Sequence, residues 1–71
     1  MEIKLRENLA YNLRVERAKL DITQEQLAEI AQISPKHITK IENKNVTPSI
    51  YTVFKIAEAL NLTVNDLIYK K

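Results

Sequence analysis

Two helix starts placed close together, with almost no chain between them, constrain this sequence more than anything else in it. Thr23 can cap one helix with its hydroxyl, and Gln26 stands at the spacing from which a side chain reaches back to the cap, a capping box. Leu27, Ala28 and Ala31 then fall on one face of that helix. Ser34-Pro35 is the second start: a hydroxyl for the free N–H groups, then proline at the first helical position, where its missing N–H costs nothing. Ile38 and Ile41 supply the apolar side of this second helix. The connector, Ala31-Gln32-Ile33, is too short for anything but a sharp corner.

Helices joined through such a corner describe a helix-turn-helix, the unit that lays its second helix in a DNA groove. The bulk numbers are compatible with it. Seventy-one residues make one domain, near the small end of what folds unaided. A hydrophobic content of 45% is that of a globular chain, too high for a disordered one. With no cysteine, neither a disulfide nor a thiolate metal site can staple the fold, so helix packing must hold it. No apolar run approaches the roughly 20 residues that span a bilayer. The N-terminus, MEIKLRENLA, mixes acids with bases and lacks an apolar segment, so it does not read as a signal peptide, and a cytoplasmic protein is expected. Eleven Lys+Arg against nine Asp+Glu give a net charge of +2, which by itself indicates nothing about nucleic acid. Placement says more: Ser34 to Thr47 holds Lys36, Lys40 and Lys44 but only one acid, Glu42. The chain also has no glycine, so Asn, Asp, Gln, Lys or Pro must close its turns, with positive φ at some non-glycine residues.

Taken in order, a first helix is expected from about Lys4 to Leu20. Leu5, Leu9, Leu13 and Leu20 form its apolar stripe, with Ala10 at the edge and Arg17 inside it. A guanidinium on the core side needs a carboxylate, unless it snorkels to water. In the helix from about Pro35 to Asn43, Ile38 and Ile41 point one way, Lys36, Thr39, Lys40 and Asn43 the other, with His37 on the flank. Glu42 lies beside Ile38 and is the natural partner for Arg17. After the loop Lys44–Pro48, a fourth helix runs from about Ser49 to Leu60 with Ile50, Val53, Ile56, Ala57 and Leu60 inward, and Asn61 suits the left-handed position that ends it. Thr63 and Asp66 make another capping box, opening a short last helix through about Tyr69 that buries Val64 and Leu67. Lys70 and Lys71 lie near its negative end. The expectation is an all-α, five-helix single domain spanning 1–71, with no strand pattern, repeat or linker.

Gln24, Leu27-Ala28, Ser34, Ile38, Ile41-Glu42-Asn43, Pro48-Ser49, Ile56-Ala57-Glu58-Ala59-Leu60 and Asp66-Leu67 together resemble the Cro/repressor-type (lambda-repressor-like) helix-turn-helix family, over about Leu9 to Ile68. The resemblance implies a compact five-helix domain whose third helix reads the major groove of double-stranded DNA. It implies a phosphate contact for Gln24, base-edge positions for Pro35, Lys36 and Lys40, a backbone contact for Asn43, and a structural ion pair between Arg17 and Glu42. Two positions depart from the family pattern. Gln32 stands where glycine is common in the turn, at a strain of about 1 kcal/mol or more. Pro35 cannot make the bidentate adenine contact that a glutamine there would make.

Chemically, DNA binding needs donors at helix N-termini for phosphate, cations around them, and polar side chains for base edges. Lys36 and Lys40, one turn apart, can both seek the acceptors of guanine, or form a plain solvated face. Thr39 can touch a thymine methyl or a phosphate, while Lys44 and Asn45 are expected to follow the backbone. Ser34 is a cap whose hydroxyl is compatible with a phosphate contact. His37, with no second ligand nearby, is a surface or phosphate-contacting residue and not a metal site. No nucleophile–base pair, glycine-rich loop or enclosed pocket suggests catalysis, and no cofactor is implied. One recognition helix per chain suggests a homodimer with half-sites about 34 Å apart. Its surface is expected among Tyr51, Phe54, Leu62, Ile68 and Tyr69, which could instead be ordinary core. The alternative reading is a protein-interaction module of the same fold, such as an antitoxin with a protein partner.

Overall fold

The computed structural model describes residues 4–69 and forms them into five helices: α1 (Leu5–Leu20), α2 (Gln24–Ala31), α3 (Pro35–Glu42), α4 (Ile50–Ala59) and α5 (Val64–Ile68). No strand occurs among the described residues. Four of the five starts are closed by side chains. The Thr23 hydroxyl accepts from the Gln26 N–H while the Gln26 carboxamide accepts from the Thr23 N–H, completing the capping box, and Thr63 and Asp66 repeat it on α5. Ser34 accepts from the His37 N–H, with Pro35 at the first helical position, and Ser49 accepts from the Thr52 N–H. α1 begins at Lys4 without a side-chain cap.

The helix ends show what a chain without glycine does. Asp21, Gln32, Lys44 and Asn61 have φ between 55° and 63°, each in the left-handed region just past a helix. At each, the next residue's N–H reaches back to a carbonyl five residues earlier: Ile22 to Arg17, Ile33 to Ala28, Asn45 to Lys40 and Leu62 to Ala57. These are Schellman closures, built here with Cβ-bearing residues at the position that usually takes glycine. The expected left-handed Asn61 and strained Gln32 are among them.

α1 packs on α3 and α5, α2 on α3 and α4, and α4 on α5. Their shared core holds Leu9, Leu13, Leu27, Ala28, Ile38, Ile41, Val53, Ile56, Ala57, Leu60 and Leu67. Three inward assignments need correction. Leu20, in the α1 stripe, is 53% exposed, and Ile50, in the α4 stripe, is 70% exposed. Each is a terminal residue of its helix, where periodicity sets direction but no neighbouring helix covers the side chain. Val64 is only half-buried, packed at the edge of the core. Lys70 and Lys71 lie outside the described residues.

Two asparagines of α1 hold the far end of the chain. Buried Asn12 donates to the carbonyls of Leu67 (2.9 Å) and Tyr69 (2.7 Å), and Asn8 donates to that of Ile68 (2.9 Å). They satisfy carbonyls that a short α5 leaves without intrahelical partners.

Candidate nucleic-acid interface

α3 is divided sharply by burial. Ile38, Ile41 and Glu42 are buried, whereas Pro35, Lys36, Lys40 and Asn43 are exposed, with His37 and Thr39 between. Ser34 at its start and Lys44 and Asn45 beyond its end are exposed as well. The lysine side of α3 is therefore not taken up by the protein's own packing.

Glu42, the one acid in this stretch, faces inward and is 3% exposed. The Arg17 guanidinium grips it bidentately, Nε to Oε2 at 2.9 Å and Nη2 to Oε1 at 3.1 Å, while Nη1 donates to the Ile22 carbonyl at 2.9 Å. Such a fork fixes geometry as well as charge. The anion is thus neutralised inside the domain, and Lys36, Lys40 and Lys44 keep their positive charge at the surface. Arg17 does not snorkel free; it ties α1 to the end of α3, as the stripe geometry predicted.

Gln24 joins the same network. Its Nε2 donates to Glu42 Oε1 at 2.8 Å and its Oε1 accepts from the Thr39 hydroxyl at 2.7 Å, so a side chain expected to face phosphate is also bound inside. The Thr39 hydroxyl lies 3.1 Å from the Pro35 carbonyl too. The corner between α2 and α3 has its own tie: Lys55 of α4 donates from Nζ to the carbonyl of Gln32 at 3.1 Å, its ammonium 5.2 Å from the Tyr51 ring centroid. In the loop that follows α3, the Thr47 hydroxyl accepts from Arg6 Nε at 2.6 Å, which anchors that loop to α1.

The residues expected at a dimer surface divide. Tyr51, Phe54 and Tyr69 are about half exposed or more, while Leu62 and Ile68 are half-buried against the core. Phe54 borders a shallow groove with Leu62 and Val64. Among the described residues no group of His, Cys, Asp or Glu is placed to hold a metal ion, and no helix is long and apolar enough to cross a membrane.

Sequence reasoning missed Asn8, Asn12 and Lys55. Asn12 was findable, since it lies beside Leu5 at the edge of the apolar stripe on the helical wheel; Asn8 stands further off that stripe. Lys55 had no local signal, because its partner is a backbone carbonyl on another helix.

A family model described as "Helix-turn-helix" matches residues 13–67. The control protein C.SmaI of Serratia marcescens is 37% identical over 71 residues, covering all of this chain and 82% of that protein. Among solved structures, the hypothetical transcription factor NHTF from Neisseria superimposes with a TM-score of 0.90 at 27% identity, over 99% of this chain and 85% of that one. The clp gene regulator ClgR from Corynebacterium glutamicum gives 0.84 at 31% identity, over 96% and 87%.

Proposed function

The chain belongs to the Cro/repressor-type (lambda-repressor-like) helix-turn-helix family of DNA-binding transcriptional regulators, and from that premise we propose that it acts as a homodimer reading a two-fold-symmetric operator with α3 in the major groove. One observation carries this reading: the side of α3 with Lys36 and Lys40 is bare, and Glu42, the one acid between Ser34 and Thr47, is turned inward and paired. An exposed cationic helix face whose neighbouring anion has been removed into the core is suited to enter a polyanionic groove.

In this arrangement Lys36 and Lys40 donate to guanine O6 and N7, and Pro35 offers only an apolar surface to the base next to it. Ser34, Gln24, Asn43, Lys44 and Asn45 surround α3 and contact phosphate and sugar, with His37 at the flank; these contacts set register without reading sequence. A homodimer supplies the second reading helix one turn of DNA away, and Tyr51, Phe54 and Tyr69, with Leu62 and Ile68 behind them, are the surface for it.

Selection of bound duplexes from a random pool tests this directly. The wild-type chain should enrich an inverted repeat with half-site centres about 34 Å apart. Lys40→Ala should lose preference at one base step per half-site, at about 1–3 kcal/mol each. Equal weakening on all sequences would reassign Lys40 to phosphate, and no enrichment by the wild type would defeat the proposal in favour of a protein-interaction module.

A further inference from the structure

We propose that Thr39 is a positioning residue: its hydroxyl holds the Gln24 carboxamide in the single orientation that aims an N–H at a DNA phosphate. This rests on α3 being the groove helix. A free carboxamide turns about its last bond at little cost. Here both of its ends are held, Oε1 by the Thr39 hydroxyl at 2.7 Å and Nε2 by Glu42 Oε1 at 2.8 Å. The reversed orientation would set Oε1 against a carboxylate, which accepts hydrogen bonds and cannot donate them. Glu42 is itself held by Arg17, so the chain of contacts runs from α1 through the end of α3 to the start of α2 and back to the outer side of α3. Nε2 carries two hydrogens, of which Glu42 takes one. Gln24 is the first residue of α2 and is half-buried, and in this proposal the second amide hydrogen goes to the DNA phosphate. Because the Thr39 hydroxyl is engaged internally, Thr39 governs affinity without reading a base.

Binding of the wild type, Thr39→Val, Thr39→Ser, Gln24→Ala and the Gln24→Ala/Thr39→Val double variant would be measured on the selected operator and its single-base variants, alongside thermal melting. Valine keeps the methyl and loses the hydroxyl; serine does the reverse. Thr39→Val should weaken binding about tenfold, the scale of one hydrogen bond to a charged group, by a similar factor on every duplex and with the melting temperature little changed. Thr39→Ser should bind like the wild type. In the Gln24→Ala background, removing the hydroxyl should cost nothing further. The inference is overturned if Thr39→Val binds as the wild type does, if Thr39→Ser loses affinity at one base step, or if the two losses simply add. A wild-type chain that binds no duplex overturns both this inference and the reading beneath it.

Discussion

Glu42 is an acid in the stretch where DNA binding calls for cations, and its burial resolves that conflict. Its carboxylate accepts from Arg17 and from Gln24, which leaves no net negative charge facing outward from α3. Removing it strands the Arg17 guanidinium. Loss of one partner of a buried pair costs about 3–5 kcal/mol, and since Arg17 stays 21% exposed the low end applies. Glu42→Ala should therefore lose about 3 kcal/mol, a large share of what a small domain has, and its melting temperature should fall by more than about 10 °C. A melting curve that matches the wild type would mean the pair is decorative. The pairing itself was readable, because Arg17 lies in the apolar stripe of α1 and Glu42 adjoins Ile38, so two local patterns each demanded a partner. Gln24 as the third member was not. No spacing within α2 tells which residue of α3 lies opposite its first turn.

Helix starts and helix ends differ in how legible they are. Starts are local chemistry, hydroxyls and a proline at fixed offsets: Thr23, Ser34 and Thr63 cap as read, and Ser49 caps the fourth helix that was expected to open there. What covers the final turn is a tertiary matter, which is why Leu20 and Ile50 were assigned inward and lie outside. The four left-handed closures belong between these cases: that residues other than glycine take them follows from the missing glycine, but their number and positions depend on where each helix runs out. Each carries the Cβ clash of a left-handed residue, about 1–2 kcal/mol and less for Asp or Asn. At Gln32 the corner is held by backbone hydrogen bonds and by Lys55 on the carbonyl, none of which uses the glutamine side chain. Gln32→Gly should thus relieve the clash while adding disorder to the unfolded chain, for a net gain of about 0.5–1 kcal/mol. Thermal melting should rise by roughly 2–8 °C with operator affinity unchanged. A lower melting temperature would show that the corner depends on a stiff residue there.

For the whole molecule, the two proposed surfaces fall on different helices. The groove face is made by α2 and α3, and the aromatics proposed for pairing, Tyr51, Phe54 and Tyr69, sit on α4 and just beyond α5, with α1 packed against both α3 and α5. One face can then pair chains while the other reads DNA, and the position of the second reading helix is set by how the copies meet. Phe54 is the sharpest probe of that meeting. It is 52% exposed, so the monomer tolerates its loss, and it borders the groove with Leu62 and Val64 that a partner's aromatic side chain could fill. Two-fold symmetry counts every substitution twice. A buried aromatic anchor is worth about 2 kcal/mol, so Phe54→Gln should weaken pairing by about 4 kcal/mol, close to a thousandfold. Glutamine adds no charge, which leaves the electrostatic attraction to phosphate as it was. In sedimentation at micromolar concentration the wild type should run at twice the chain mass and Phe54→Gln at once. The variant should lose most of its affinity for the inverted repeat and keep that for an isolated half-site. If Phe54→Gln still sediments as a dimer, the chains pair through another surface and the half-site spacing must be rederived from it.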